Sequence, residues 1–592
     1  MKARLSALLA AALLAACTLP SPVPPVEASA PEAPSALVAK AGWTLRTHAV
    51  AAAHPLAAEA GDRLLRAGGS ALDAAIAAQM VLALVEPQSS GIGGGAFLMH
   101  WDGRTVEAYD GRETAPAAAD ERLFLDPEGR PLAFPDAVVG GRAVGVPGAV
   151  RMLEMAHRAH GRLPWARLFE PAIALAEGGF PVGERLNTLL RGDPHLRRDP
   201  AAAAYFYDGG GAPLATGALL RNPALAGVFR RLAAEGSKAL HEGEIAQAIV
   251  DKVRGHPTNP GRLTRADLAG YTPRQREPLC HDHAAGGREW RICGFPPPGS
   301  GAIAIGQVLG LLARTGAGTQ PPQDGLPSAD WLHLYTEAAR LAFADRAQYV
   351  ADPDFVAPPA GDWRSLLAPA YLDARARLVG PRSLREAPPG RPGGVPTAFA
   401  PMHDQPERGT THLSVVDAQG RAVALTSTIE DQFGARQMVR GFLLNNELTD
   451  FSFLPADAQG RPVANRVEPG KRPRSSMSPT LVFDKASGQL AATLGSPGGA
   501  MIIHYTAKAL VGTLDWGLDP QRAIDLPNFG SVGGPTLLEA GRFPAATVQA
   551  LRARGAEVRE VPLTSGLHAL SRTPAGWSGG ADPRREGVVR GD

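Results

Sequence analysis

Apolar residues recur at three- and four-residue spacing over 57–86, the spacing of a helix with a buried face. A break at Gly68-Gly69-Ser70 reads as one helix ending and a second starting from a fresh N-cap. The same period predicts helices at 145–160, 164–178, 224–236, 243–254, 303–314 and 328–350, and β-rich runs at 96–101, 276–282 and 288–293. After residue 410 the period shortens to two. HLSVVDAQGRAVALTST and PTLVFDKASGQLAATLG each read as strand–turn–strand, and a helix is expected at about 502–514. Between these regimes, 380–409 is rich in Pro, Gly and Arg and carries no period. No internal repeat is visible.

Composition narrows the function classes. The 592 residues carry 60 Lys+Arg against 58 Asp+Glu, a balance that leaves no electrostatic footprint for nucleic acid. Three cysteines exclude a disulfide scaffold and a Cys-rich metal framework. At 44% hydrophobic residues the chain has ample material for a core, as a large enzyme requires.

Two further patterns concern the chain's destination. Lys2 and Arg4 precede an apolar run, Leu5 to Ala16, too short to span a bilayer, and the run ends in Leu14-Ala15-Ala16-Cys17. That ending resembles the bacterial lipobox, in which Cys17 would be lipidated; an ordinary secretory signal is the alternative, and either exports the chain. Residues 18–42 are Pro/Ala/Ser-rich and read as a tether. The expected location is the periplasm, with an outer-membrane lipid anchor as the sole membrane contact. Cys280 and Cys293 flank a hairpin centred near Gly286-Gly287, where register counting sets them opposite one another. A disulfide and two unrelated buried thiols both stay open. His281 and His283 read as exposed residues of the hairpin tip.

Most familiar motifs fail in context. Gly91 to Ala96 contains a G-x-G-x-x-A pattern, but it follows a helix and leads into a strand, the reverse of a dinucleotide site. His241-Glu242 lacks a second His at helical spacing, and no P-loop or G-x-S-x-G elbow appears. No metal and no cofactor are therefore expected. What survives is Gly409-Thr410-Thr411-His412 with Thr426-Ser427-Thr428. A threonine hydroxyl needs a base within reach, and cutting the chain before Thr410 would make its own α-amine that base.

The run TTHLSVVDAQGRAVALTSTIEDQFG resembles the signature of the γ-glutamyltransferases (γ-glutamyl transpeptidases), which are N-terminal nucleophile hydrolases matured by autoproteolysis. The likeness extends over about 43–592 through HPLAAEAGDRLLRAGGSALDAAIAA, VEPQSSGIGGGAF, DGRETAP, VGVPGAV, EAARLAFADRAQYVADPDF, LLNNELTDFS, KRPRSSMSPT and GSPGGAMI. It implies a four-layer α/β/β/α sandwich built from two fragments, 43–409 (from Thr18 with the tether) and 410–592, held as a heterodimer after cleavage between Gly409 and Thr410. It further implies Thr410 as nucleophile, Thr428 as its orienting partner, and Gly498 and Gly499 as oxyanion donors. Arg112 with Ser475 and Ser476 would clamp the substrate α-carboxylate, and Glu447 and Asp450 would accept the α-ammonium. The implied substrates are a γ-glutamyl donor such as glutathione and, as acceptor, water or the amine of an amino acid or peptide.

The chain departs from the family at three places. Position 430 is Glu where the best-known transpeptidases carry Asn; a carboxylate there suits an ammonium and repels a carboxylate unless protonated or paired. The 451–474 stretch, expected to form a lid over the pocket, has no Tyr or Trp. The segment PPPGSGA also differs from the usual double-Ser, double-Gly form. Alternatives within the fold are an acylase for glutaryl or cephalosporin side chains and an enzyme of poly-γ-glutamate; from another class, an unprocessed, non-catalytic envelope lipoprotein.

Overall fold

A computed structural model describes residues 34, 37–317, 320–403 and 405–592. Cys17, the targeting segment and most of the tether lie outside the described residues. Among the described residues, no helix is long and apolar enough to cross a membrane.

Two seven-stranded sheets form the centre. One runs, in spatial order, Val588–Gly591, Ala49–Ala52, Thr411–Val416, Ala422–Thr428, Gly95–Trp101, Val106–Asp110, Arg274–Arg276. The other runs Trp43–Leu45, Gly576–Ala581, His568–Thr573, Leu490–Gly495, Thr480–Asp484, Arg288–Gly294, Leu279–Ala285. Side chains alternate across each strand, and the alternation assigns the layers. Ala49, Ala51, Phe97, Met99, Ala422 and Ala424 meet Leu481, Phe483, Leu570 and Trp577 between the sheets. Their neighbours Val50, Leu98, Val423 and Leu425 face the opposite way, onto helices Pro55–Arg66 and Ala71–Val85. On the far side Ile292, Val482 and Ala569 pack under helices Gly301–Thr315, Ala329–Tyr349 and Ile502–Leu510. The result is a four-layer α/β/β/α sandwich. The strand that Thr410 leads into and its hairpin partner are buried on both faces.

Most sequence-based boundaries fall within a few residues of the observed ones. Ser70 caps Ala71–Val85 through a reciprocal pair with Asp73 (Asp73 N to Ser70 Oγ 3.2 Å, Ser70 N to Asp73 Oδ2 2.8 Å). The helix expected at 502–514 ends at Leu510 in a wider turn. Helices Glu184–Gly192 and Ala545–Ala553 and the three C-terminal strands had not been anticipated.

The hairpin histidines require a correction. His283 is buried and its Nε2 lies 3.0 Å from Asp515 Oδ2, while His281 is half-buried against helix Gly301–Thr315 at Gly306. Period two sets both on the helix-covered face of the strand, with Leu279, so neither belongs to the exposed tip. Cys280 pairs with Cys293 in the hairpin register, and the two are joined as a disulfide.

Candidate active site

Gly409 and Thr410 lead into strand Thr411–Val416, whose antiparallel neighbour ends at Thr428. The register opposes Thr411 to Ser427, bringing Thr410 alongside Thr428. Their hydroxyls are 3.5 Å apart. Thr428 Oγ1 also donates to Gly409 O (3.2 Å) and accepts from Glu430 N (2.8 Å). The Thr410 hydroxyl lies against the same Gly409 carbonyl. Residue 409 has φ +27°, and a Cβ there would sit 2.4 Å from Glu430 O, so only glycine lets the backbone approach this closely. Below the hairpin, Gly94 makes a similar approach: its Cβ would lie 2.1 Å from Thr428 O. The glycine-rich loop once considered for nucleotides is thus a packing device beneath Thr428.

Arg112 is fully buried. Its Nη1 and Nη2 pair with Glu447 and Asp450, while Nε donates to Pro473 O (3.1 Å) and Nη2 to Arg474 O (2.8 Å). Glu447 and Asp450 stand three residues apart on a 3₁₀ turn, whose threefold repeat stacks them on one face to grip the guanidinium. Burial opposes the charge on Arg112, but Glu447, Asp450 and Glu113 outweigh it and hold its pKa above the ordinary value. Burial likewise lifts the acids. Asp450 is pushed up to about 6, against Arg112, and Glu113 to about 8; Glu447 rises well above the usual range. Glu430 rises well above it too, through burial and the charges of Asp450, Asp431 and Glu447. Its carboxyl accepts from Asn446 Nδ2, Thr449 Oγ1 (3.3 Å) and Arg408 N (3.2 Å), and its backbone is left-handed at φ +74°. Such a conformation costs a non-glycine residue about 1–2 kcal/mol and tends to cluster at functional sites.

Of the residues anticipated from sequence, Arg112, Thr410, Thr428, Glu430, Glu447, Asp450, Ser475, Ser476 and Gly499 line one small cavity of about 10 Å³, the room of one water. Gly498 does not reach its wall and packs instead on Tyr505. Gly499 opens the turn that continues into helix Ile502–Leu510, so the positive end of that helix faces the cavity. The expected lid does not cover it: no residue of 451–474 is among the lining residues. Phe451 and Phe453 pack away with Phe124. The cover is the stretch just before Thr410, namely Glu407 and Arg408. Gln405 stitches that stretch to Thr449 O and Phe451 O at 2.9 Å each.

Reasoning from sequence missed three participants. Glu407 sits in the aperiodic segment. Arg346 lies within the quoted block EAARLAFADRAQYVADPDF but carried no assigned role; it donates to Ser476 Oγ (2.6 Å), Ser300 Oγ (2.9 Å) and Glu407 Oε1 (2.6 Å). Asn446, in LLNNELTDFS, holds Glu430. A wider cleft of about 820 Å³, lined by Arg142, Lys252 and His256 among others, includes none of the anticipated residues.

The sequence profile described as Gamma-glutamyltranspeptidase matches residues 57–591. The chain belongs to this family. A glutathione hydrolase proenzyme of Bacillus subtilis (strain 168) is 34% identical over 556 residues, 92% of this chain and 91% of its own. The acylase ACY 1 proenzyme of Pseudomonas sp. (strain SE83) is 36% identical over 540 residues, 89% of this chain and 90% of its own. Among solved structures, a cephalosporin acylase from Bacillus halodurans superposes with a TM-score of 0.77 at 26% identity, covering 93% of this chain and 97% of that one. The sandwich is the N-terminal nucleophile hydrolase fold of the γ-glutamyltranspeptidases and their acylase relatives, and the chain is an enzyme of that family.

Proposed function

We propose that the chain cuts itself between Gly409 and Thr410 and then transfers γ-glutamyl groups through an ester on Thr410. The observation that carries this reading is the Gly409 carbonyl, held between the hydroxyls of Thr410 and Thr428 at the wall of an acid-rich cavity. Attack of Thr410 Oγ on that carbonyl forms a C–O bond. The C–N bond then breaks, with the proton passing to the departing nitrogen. Water hydrolyses the resulting ester and leaves Thr410 with a free α-amine. That amine takes the hydroxyl proton in the next attack, on the γ-carbonyl of a donor such as glutathione, and returns it to the leaving amine. Water, or an amino acid or peptide, resolves the γ-glutamyl ester. The backbone N–H of Gly499, which lines the cavity at the helix end, is the first candidate oxyanion donor, worth about 3–4 kcal/mol in the transition state, and Gly498, set back from the wall in the uncut chain, is the second. Both relatives cited above are named proenzymes, which supports cleavage.

Charge favours glutamyl over glutaryl donors. The cavity wall presents four acids, Glu407, Glu430, Glu447 and Asp450, against two arginines, Arg112 and Arg408. An α-ammonium neutralises part of that excess, whereas a glutaryl group adds only another negative charge. Arg112, Ser475 and Ser476 are assigned to the α-carboxylate, and Glu430, Glu447 and Asp450 to the ammonium. The fragments divide at Gly409–Thr410, the large one carrying Cys17 and the 18–42 tether ahead of 43–409 and the small one being 410–592. Export with a lipid on Cys17 completes the reading, and Cys17→Ser should move the protein from the membrane fraction to the soluble one.

The decisive experiment is a denaturing gel with N-terminal sequencing. Two fragments dividing the 61.7 kDa about two to one are expected, the smaller beginning Thr-Thr-His. A single band identical to that of Thr410→Ala would overturn the enzyme reading. Faster release from a glutaryl than a γ-glutamyl anilide would overturn the substrate, in favour of the acylase activity that one relative's name carries.

A further inference from the structure

His100, Glu107 and His160 come together outside the site described above. His100 and Glu107 are register partners on strands Gly95–Trp101 and Val106–Asp110, and both side chains face the helix layer. His160 closes helix Ala149–His160, and its ring stacks on that of His100 with centroids 4.0 Å apart. Glu107 Oε2 serves both rings: it lies against His160 Nε2 and 3.8 Å from His100 Nδ1. The Tyr109 hydroxyl, two residues along the same strand face, stands 2.8 Å from His160 Nε2 and 3.1 Å from Glu107 Oε2. Glu107 Oε1 accepts from Gln275 Nε2 at 3.0 Å, which fixes the carboxylate. One atom of the set is unsatisfied. His100 is 1% exposed, and its Nδ1 has no hydrogen-bond partner among the described residues, 3.8 Å being too long for one.

We propose that His100 Nδ1, Glu107 Oε2 and His160 Nε2 form a site for a zinc-class divalent cation that ties helix Ala149–His160 to the sheet. The three donor atoms lie within 4.8 Å of one another. Zinc bonds of about 2.0–2.2 Å in tetrahedral geometry set neighbouring donors about 3.3 Å apart. The His160–Glu107 contact must therefore open, and the His100–Glu107 gap must close by about half an ångström. His160 supplies the freedom: it ends its helix, its side chain is 16% exposed, and its ring already tilts 29° from that of His100. The cation replaces the proton held between Glu107 and His160, which leaves to solvent, and it gives His100 Nδ1 a partner. Two imidazoles with one carboxylate select zinc and its neighbours over magnesium and calcium, which take oxygen shells. Gln275 is the outer partner that orients the carboxylate, and the last carbonyls of the helix favour a cation. The role is structural, not chemical. His100 lies five residues beyond Gly95, which opposes Thr428, a separation of about 16 Å along the strand. No sequence spacing announces the site, because its ligands come from two strands and a helix end.

The test uses the full chain without an affinity tag, stripped with a chelator. Zinc chloride is titrated in by calorimetry, and thermal unfolding is followed with and without it. One equivalent should bind with micromolar affinity or tighter and raise the thermal midpoint; magnesium chloride should do neither. Loss of an outer partner alone costs about 10- to 100-fold in metal affinity, so removing a ligand in His160→Gln should cost about a hundredfold or more and abolish the midpoint rise. His160 sits at a helix end, so this variant decides the matter even if His100→Gln, in the core, fails to fold. Wild-type protein that binds no zinc at submillimolar concentration would overturn the proposal. So would equal affinity and an equal midpoint shift in His160→Gln, which would leave the cluster as hydrogen bonds alone. None of these readouts depends on cleavage or on γ-glutamyl transfer, so failure here leaves the proposed function standing.

Discussion

Thr428→Val isolates one hydroxyl in a site where shape is otherwise preserved. Thr428 is 2% exposed, and valine fills the same volume, so the change removes only the O–H. Three contacts go: the donation to Gly409 O at 3.2 Å, the acceptor for Glu430 N at 2.8 Å, and the acceptor for the Thr410 hydroxyl at 3.5 Å. The first matters for cleavage, because the Gly409 oxygen gains negative charge as Thr410 adds to its carbonyl. A neutral donor at that distance is worth about 2–3 kcal/mol in such a transition state, which predicts cleavage about 30- to 150-fold slower. The second acts on the folded state: a buried N–H left without a partner costs about 1–3 kcal/mol. Thr428→Ser keeps the hydroxyl and loses only a methyl, so it should cleave near the wild-type rate. Cell-free synthesis, quenched at intervals and run on a denaturing gel, gives the rates, and thermal unfolding of the same samples gives the stability. A valine variant within threefold of wild type, or a serine variant as slow as valine, would refute the assignment of Thr428 to the scissile carbonyl.

Other consequences are equally direct. Burial pushes His54, His241 and His504 down to about 4, so the unfolded chain binds more protons between pH 6.5 and 4. Stability should fall as pH drops through that window, by up to about 3 kcal/mol per histidine, and denaturant midpoints at pH 7, 6, 5 and 4 measure it. Arg112→Met, in the uncut Thr410→Ala background, leaves Glu447 and Asp450 without their cation. The folded acids then titrate still higher, so the penalty, about 3–5 kcal/mol when both are charged, should grow from pH 5 to pH 8; a pH-independent loss in urea unfolding would contradict it. Joint replacement of Cys280 and Cys293 by alanine should lower the thermal midpoint, the loop-closure term being about 3 kcal/mol at most, and leave cleavage intact on the gel.

How much of this was legible beforehand depended on whether a feature is local. The capped helix from Ala71, the hairpin bracketing Val416 and Ala422 and the pairing of Cys280 with Cys293 follow from period and turn chemistry, and the structure has them. The histidines at 281 and 283 misled because a helix from another part of the chain covers their strand face, and no local pattern encodes that cover. The lid expectation failed for a similar reason: Glu407 and Arg408, in a stretch with no period, take the place that 451–474 was expected to fill. Arg112 was found through its motif, but its grip on Glu447 and Asp450 depends on a 3₁₀ turn more than three hundred residues away. Motif order located the site; only coordinates show which acid faces which base.

The sheet that carries Thr410 alternates between the two halves of the sequence: Val588–Gly591, then Ala49–Ala52, then Thr411–Val416 and Ala422–Thr428, then Gly95–Trp101. An uncut chain assembles that order as a single molecule, at a rate independent of dilution. Once the Gly409–Thr410 bond is gone, the same order can be rebuilt only by collision of two separate polypeptides, each short of neighbours for its central strands. Under the proposed cleavage, maturation would be a ratchet on folding as well as a switch for chemistry. The native state would then be reached by a first-order route that no longer exists after the cut, and the working life of the cleaved enzyme would be set by how long it avoids opening even once.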